Sequence, residues 1–190
     1  MDKQQLSGKK VAILVAHGFE QVELTSPKKA LEKAGATAQI VSPERKEVKG
    51  WKHTDWGDTF PVDVQLADAR PDDYDALVLP GGVMNPDTLR ADQKAVEFVG
   101  HFVGTGKPIA AICHGPWTLV ETDGLRGRTV TSYPSIRSDL KNAGASWIDQ
   151  EVVVDRGLVT SRKPDDLDAF NDKMIEEFAE GRHDRRVRAS

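Results

Sequence analysis

Short continuous apolar runs alternate with segments of helical periodicity along most of this chain. Four runs, at residues 11–16, 38–41, 76–79 and 107–112, have the length and composition of strands buried on both faces of a parallel sheet. Apolar side chains recur at mainly helical spacing in residues 24–34 and 95–103, and glycines follow both segments. The alternation predicts an α/β sandwich with a largely parallel sheet and helices on both faces.

The second half of the chain predicts shorter elements. Residues 117–120 continue a helix, residues 128–131 are strand-like, and residues 138–144 predict a short helix closed by glycine. Residues 151–160 predict two strands joined at Arg156-Gly157, and residues 165–180 predict the last amphipathic helix. Residues 50–61 have no clear period and predict a hairpin or loop, and Pro27 is expected in the first turn of its helix.

Composition indicates one domain and excludes some partners. With 190 residues, 38% of them hydrophobic, the chain is expected to form a single domain over residues 1–190, with a core at about 10–181 and a basic, mobile tail at 182–190. The net charge of -4 gives no basic surface for nucleic acid. No run approaches the ~18 apolar residues of a membrane span, and the first residues do not resemble a secretory signal. We therefore expect a cytoplasmic protein.

Cys113, the only cysteine, stands where an apolar strand meets a turn. It ends the run 107–112 and is followed by His114, Gly115 and Pro116. This pattern is typical of a nucleophile elbow, in which a strand delivers a thiol into a tight turn that opens a helix. Unpaired amides at a helix N-terminus favour a thiolate, so we expect a pKa for Cys113 below its free value of about 8.5. The alternative is a buried cysteine acting as a small hydrophobe.

The ends of three predicted strands carry chemistry-bearing residues. Residues 17–23 follow the first strand, Gly81 and Gly82 follow the strand at 76–79, and Cys113 and His114 follow the strand at 107–112. Ligands bind at the carboxyl ends of parallel strands, so we expect one shared pocket. The backbone N–H groups of Gly82 and His114 would form an oxyanion hole, although Gly82 is also explained as a plain turn glycine. His17 is a weaker candidate for the pocket.

Several separated blocks resemble one family. The blocks lie at residues 19–24, 76–82, 111–116, 131–134 and 151–155, and the match runs in order from about Lys10 to Gly181. They are similar to the ThiJ/PfpI family, specifically its intracellular protease I branch. The resemblance implies a flavodoxin-like fold related to class I glutamine amidotransferases, homo-oligomers (dimers, possibly hexamers) with active sites near a subunit interface, and roles in stress tolerance.

The resemblance also implies roles for single residues. Cys113 matches the family nucleophile, His114 its basic partner, and Glu23 the acid that contacts the sulfur and is expected to be protonated there. Asp87 stands where the branch has a glutamate that orients the histidine of a neighbouring subunit; it is shorter, the loop is one residue longer, and a surface turn residue is the alternative. Tyr133 is expected to line the pocket, with a core tyrosine as the alternative.

Three functions are compatible with these residues. Family members are variously described as cysteine peptidases, glyoxalases, protein deglycases or chaperones, so we expect a cysteine hydrolase whose substrate is a peptide, a damaged protein or a small carbonyl compound such as methylglyoxal. A non-enzymatic redox sensor oxidised at Cys113 is the third reading. A glutamine amidotransferase is excluded, because His183 is the only histidine after His114. No cofactor is expected, and no metal site, because the five histidines show no paired ligand spacing; they lie at positions 17, 53, 101, 114 and 183.

Overall fold

Eleven strands and five α-helices are formed by residues 5–183, the part of the chain that the computed structural model describes. The strands are β1 (Lys10–Leu14), β2 (Thr37–Ser42), β3 (Glu47–Lys52), β4 (Asp55–Pro61), β5 (Val64–Gln65), β6 (Ala76–Leu79), β7 (Ile109–Ile112), β8 (Thr129–Val130), β9 (Ser146–Trp147), β10 (Val152–Asp155) and β11 (Leu158–Ser161). The helices are α1 (Gln21–Lys33), α2 (Met84–Ala91), α3 (Gln93–Thr105), α4 (Arg137–Asn142) and α5 (Leu167–Glu180).

Seven of the strands form one sheet in the order β10-β11-β7-β6-β1-β2-β5. All neighbouring strands are parallel except β10, which pairs antiparallel with β11 at one edge. Two small ribbons, β3 with β4 and β8 with β9, lie outside this sheet. The predicted α/β sandwich with a largely parallel, flavodoxin-like sheet is therefore confirmed.

The sheet has a hydrophobic core on each face. Val11 and Ile13 of β1 pack into the core that contains the apolar side chains of α1 and α5, whereas Ala12 and Leu14 pack into the core of α2, α3 and α4. Successive side chains of a strand point to opposite faces, so a strand covered on both faces has to be apolar throughout. This explains why the central strands appear in the sequence as unbroken apolar runs.

Three local predictions need correction. Helix α2 was not predicted, because Leu89 is its only buried large apolar side chain and gives no visible stripe. Pro27 lies in the second turn of α1 rather than the first. The segment after Cys113 is a 3₁₀ helix at Gly115–Glu121 rather than an α-helix.

The excursion at residues 50–61 is part of a two-stranded hairpin. Strands β3 and β4 pair antiparallel, and the rings of Trp51 and Trp56 meet edge to face with centroids 5.4 Å apart. Trp51 N–H donates to the Phe19 carbonyl at 2.6 Å, and Gly18 N–H donates to the Lys49 carbonyl at 2.9 Å. These two bonds fasten the hairpin to the loop that follows β1.

The chain returns to the fold after its last helix. His183 N–H donates to the carbonyl oxygen of Gly106 at 2.9 Å, so residue 183 of the predicted tail is packed against the end of α3. Residues 184–190 of that tail lie outside the described residues. Within residues 5–183, no helix combines the length and the apolar character that crossing a membrane requires.

Candidate active site

Cys113 lies at the carboxyl end of β7 in a backbone conformation that side chains rarely adopt. Its φ is 61°, in the left-handed region. The strained residue is held from both sides: its N–H donates to the Ser161 carbonyl at 3.0 Å, and its carbonyl accepts from Tyr133 N–H at 2.9 Å. Strain of this kind persists only where surrounding structure enforces it, and it is concentrated at functional sites. The backbone therefore has the geometry predicted for a nucleophile elbow.

Two glycines allow the elbow to pack directly against its neighbours. A Cβ atom on Gly115 would lie 2.2 Å from the carbonyl oxygen of Leu79 in β6. A Cβ atom on Gly81 would lie 2.7 Å from the Cβ of Cys113 and 2.6 Å from Oε2 of Glu23. Any side chain at either position would push the elbow away from the loop after β6. The two glycines thus set the distance between the sulfur and its surroundings.

His114 is placed to exchange a proton with the thiol. Its Nδ1 lies 3.3 Å from Cys113 Sγ, and its Nε2 lies 3.0 Å from the hydroxyl of Ser135. Tyr133 stacks on the imidazole, with ring centroids 4.7 Å apart, and is 41% exposed, so it is not a core tyrosine. Burial lowers the pKa of His114, which keeps the ring neutral near neutral pH. With its proton on Nε2, shared with Ser135, the ring presents Nδ1 as an acceptor toward the thiol.

Glu23 contributes a buried carboxyl beside the sulfur. It lies in the first turn of α1 with no exposed surface, and its Oε2 accepts the N–H of Gly81 at 2.8 Å. Burial raises the pKa of Glu23 to about 8, against the opposing effect of hydrogen bonds from Gly81 and Cys113. The carboxyl is therefore mostly protonated at neutral pH, and a protonated carboxyl can donate a hydrogen bond to sulfur.

The resting cysteine is a thiol. Burial raises the pKa of Cys113, and negative charge on Glu23 raises it further, whereas the backbone N–H groups of His114 and Gly82 lower it. The sequence-based expectation of a lowered pKa is wrong for this state. Cys113 is only 7% exposed, and the charged group that acts on its pKa is the carboxylate of Glu23. The thiol proton therefore has to leave when a substrate arrives, and His114 is the neighbouring acceptor.

Asn85 fixes the loop that supplies one of these N–H groups. Its side chain is fully buried, donates from Nδ2 to the carbonyls of Pro80 and Gly81 at 3.0 Å each, and accepts from Ala16 N–H at 2.7 Å. The end of β1 is thereby joined to the loop at Gly81 and Gly82. Sequence reasoning missed Asn85, because one asparagine in a polar segment carries no distinguishing signal. It also missed Ser135, although that residue directly follows the block at 131–134.

A cavity of about 560 Å³ opens in front of the sulfur. Its walls come from the loop after β1, the β3–β4 hairpin and the start of α2, and they include Gly18, Glu20, Trp51, His53, Gly82, Val83, Met84, Tyr133 and Pro164. The hairpin whose role was open from sequence thus forms one wall. His53, which the sequence did not single out, also lines the cavity. The strand ends therefore form the single pocket that the sequence predicted.

Comparison with known proteins places this site in a family. Residues 9–177 match the DJ-1/PfpI family. The chain belongs to this family. It is 51% identical over 168 residues to the Bacillus subtilis protein named "Putative cysteine protease YraA", covering 88% of this chain and 96% of that one. It is 48% identical over 172 residues to a Staphylococcus epidermidis protein of uncharacterised function, covering 90% and 98%. The crystal structure of Drosophila melanogaster DJ-1beta superposes with a TM-score of 0.82 at 30% identity, covering 90% of each chain.

Two candidate residues lie away from the cysteine of this DJ-1/PfpI chain. Asp87 is exposed on α2 and, within residues 5–183, makes no side-chain hydrogen bond or ion pair; His114 Nε2 contacts Ser135 instead. A triad with Asp87 is therefore not formed within one subunit. His17 is exposed, and its Nδ1 accepts the N–H of Lys49 at 3.0 Å. It anchors the hairpin rather than facing the thiol.

The DJ-1/PfpI site predicts a positioning role for Asn85. Asn85→Ala leaves the N–H of Ala16 and two carbonyl groups unpaired in the interior, and each costs about 1–3 kcal/mol. We expect a loss of about 3 kcal/mol in unfolding free energy and a fall in kcat of roughly tenfold or more, with KM little changed. Urea unfolding and steady-state kinetics measure both. Asn171→Ala is the matched control, because Asn171 makes its hydrogen bond to Ser26, away from the site. An unchanged kcat in Asn85→Ala would remove the positioning role.

Substitution of Gly82 is also expected to lower the stability of the protein. Its φ is 73°, and a Cβ atom would lie 2.4 Å from the Gly18 carbonyl oxygen. Gly82→Ala therefore adds a steric clash to the roughly 1–2 kcal/mol that an L residue costs in this region. We expect a total loss of about 3 kcal/mol. Gly127→Ala is the control, since Gly127 has φ 67° but nothing within 4 Å of its Cβ position. Equal melting temperatures for the two variants would contradict the close approach.

Proposed function

We propose that this DJ-1/PfpI protein is a cysteine-dependent hydrolase of the PfpI protease type, in which Cys113 attacks a carbonyl carbon. The observation that carries the proposal is the 3.3 Å approach of Cys113 Sγ to His114 Nδ1, at a site where the backbone N–H groups of Gly82 and His114 lower the pKa of the thiol. A nucleophile, a neutral base and two backbone donors are the parts that acyl transfer to a thiol requires. The relative named as a cysteine protease supports the same chemistry.

The reaction follows from the protonation states of the site. As the sulfur attacks, the thiol proton passes to Nδ1 of His114, and the carbonyl oxygen becomes an oxyanion that accepts from the two backbone N–H groups. His114 then returns the proton to the leaving amine, and an acyl thioester remains on Cys113. A water molecule gives its proton to His114 and attacks the thioester, which releases the acid and restores the thiol. Neutral Glu23 avoids a second negative charge beside the sulfur while the thiolate exists.

A glyoxalase or protein deglycase is the second candidate. The observation in its favour is the protonated carboxyl of Glu23 next to the sulfur, which amide hydrolysis by a cysteine and a histidine does not need. Attack of the thiol on an aldehyde gives a hemithioacetal, whose later rearrangement needs an acid and base near the former carbonyl carbons. Redox sensing is less favoured, because deep burial and a raised pKa both slow the oxidation of Cys113.

Exposed apolar side chains at the rim of the cavity favour a homo-oligomer. Val83 and Met84 are 56% and 40% exposed, and they stand at the rim of the cavity close to Asp87 in the sequence. We propose that a second copy of the chain covers this rim in a homo-oligomer, and that the protein acts in the cytoplasm under stress. Sedimentation of the wild type and of Met84→Glu tests the assembly. A monomeric wild type would overturn it.

The proposed chemistry is tested by alkylating Cys113, the only cysteine of the chain, and measuring turnover before and after. Turnover of a fluorogenic peptide and of methylglyoxal is measured before and after stoichiometric alkylation by iodoacetamide, with intact mass reporting one added group on Cys113. Peptide cleavage that disappears on alkylation supports the hydrolase. Lactate formation from methylglyoxal that disappears in the same way supports the second candidate. Turnover that survives full alkylation, or no turnover of either substrate, overturns the proposal of Cys113 chemistry.

A further inference from the structure

Three potential metal ligands lie close together at the C-terminal end of α5 and in the residues that follow it. Glu177 and Glu180 lie three residues apart and therefore share one face of the helix. Gly181, with φ 86°, turns the chain back, and His183 comes to lie against the same two carboxyl groups. One ligand atom from each of the three residues lies within 4.8 Å of the others. Their spacing in the sequence is Glu-x-x-Glu-x-x-His.

Two of the distances are close to those of a tetrahedral metal centre. His183 Nε2 is 3.2 Å from Glu177 Oε2 and 3.8 Å from Glu180 Oε2. Zinc bonds to histidine nitrogen and carboxylate oxygen of about 2.0–2.2 Å place tetrahedral ligand atoms about 3.3–3.6 Å from one another. The three side chains can therefore contact one ion with small adjustments. A fourth position would remain for water.

Two of the three atoms that would bind the ion have no hydrogen-bond partner within residues 5–183, whereas Glu180 is exposed. Glu177 is only 7% exposed, and neither its Oε2 nor Nε2 of His183 has such a partner within residues 5–183, although the two atoms are 3.2 Å apart. Buried polar atoms normally find a hydrogen-bond partner, and a bound ion is one explanation for an exception.

Two glycines make room for His183, one beside its ring and one beside its backbone. A Cβ atom on Gly157, in the turn between β10 and β11, would lie 2.7 Å from Cδ2 of His183. A Cβ atom on Gly106, after α3, would lie 2.3 Å from the carbonyl oxygen of His183, whose N–H donates to Gly106. Both glycines have positive φ. The end of α5, the turn at Gly106 and the turn at Gly157 together fix the position of His183.

We propose that Glu177, Glu180 and His183 bind a divalent transition metal ion of the zinc class. A mixed site of one imidazole and two carboxylates suits Zn²⁺ better than Mg²⁺ or Ca²⁺, which prefer all-oxygen ligands. The ion clamps the end of the chain onto α5 and onto the turns at Gly106 and Gly157. This role is structural and does not depend on the reaction at Cys113. A protonated His183 paired with the two carboxylates is the alternative arrangement.

Zinc binding by the full chain tests the proposal. All proteins carry Cys113→Ser, because a free thiol is itself a zinc ligand. Isothermal titration with ZnCl₂ should give one ion per chain, and His183→Ala and Glu180→Gln should each weaken binding by roughly tenfold or more. The control is His101→Ala, because His101 pairs with the single carboxylate of Asp72 at 3.0 Å. It should bind Zn²⁺ as its parent does.

Thermal unfolding gives a second readout. Zn²⁺ should raise the melting temperature of the Cys113→Ser parent and of His101→Ala, but not that of His183→Ala, and Mg²⁺ should have no such effect. Melting in EDTA shows that each variant is folded. No zinc binding by the parent, or binding that is unchanged in both His183→Ala and Glu180→Gln, overturns the site and leaves the ion-pair arrangement.

Discussion

Cys113→Ser is expected to lower turnover by roughly 10³-fold or more while the fold stays intact. Serine keeps the shape of the side chain at the strained elbow, where Cys113 has φ 61°. Its hydroxyl is a weaker nucleophile than a thiol and a weaker acid, and neutral His114 at 3.3 Å is a poor base for it. Kinetics with the substrate that the alkylation experiment identifies measure the loss.

Stability has to be measured beside this loss of activity. Cys113 is buried and hydrogen-bonded through its backbone to Ser161 and Tyr133, and these bonds do not depend on the sulfur. The melting temperature of Cys113→Ser is therefore expected to stay within a few degrees of the wild type. A variant that melts normally and keeps a tenth of its activity would show that the sulfur is not the nucleophile. Cys113→Ala, which has no side-chain nucleophile, should be at least as inactive.

The parallel sheet was predictable because strands buried on both faces appear in the sequence as short apolar runs. Strands β1, β6 and β7 are covered on both faces, so all their positions except Lys10 at the start of β1 are apolar, and the runs stand out. The elbow was predictable because Cys113 directly follows the apolar run at 107–112 and Gly115 stands two residues later. This pattern is typical of a strand that enters a tight turn. The hairpin of Trp51 and Trp56 was visible only as an interruption, since its residues are mostly exposed and carry no strict alternation.

The protonation state of the site was not predictable. A local sequence shows the amides that favour a thiolate, but it does not show that Cys113 is 7% exposed or that Glu23 lies beside the sulfur. The fold buries Cys113 and brings Glu23 beside it, although the two residues are 90 positions apart in the chain. The burial and the charge of Glu23 both raise the pKa of Cys113, which is the opposite of the expected direction. Ser135 and Asn85 were missed for a related reason. Their roles are set by what they face, and neither residue type is unusual in a loop or a polar helix.

Glu23→Gln is expected to remove the fall in stability that Glu23 causes as pH rises. The pKa of Glu23 is about 8 in the folded protein and 4.5 for an unperturbed glutamate carboxyl. Between these values the folded state holds a proton that the unfolded state releases, so the free energy of unfolding falls as pH rises from 4.5 to about 8 and then levels off. Glutamine keeps the shape and an acceptor for Gly81 N–H, but it does not titrate.

Wild type and Glu23→Gln should therefore be about equally stable at pH 5, and the variant should be more stable at pH 9 by a few kcal/mol, since each pKa unit is worth about 1.4 kcal/mol. Urea unfolding at pH 5, 7 and 9 measures the difference, and Glu32→Gln, on the exposed face of α1, controls for the loss of one carboxylate. Removing the negative charge should also lower the pH midpoint for alkylation of Cys113, because that charge raises the pKa of the thiol. A higher alkylation midpoint would mean instead that protonated Glu23 stabilises the thiolate, and a constant stability difference from pH 5 to 9 would show that the carboxyl ionises normally in the folded protein.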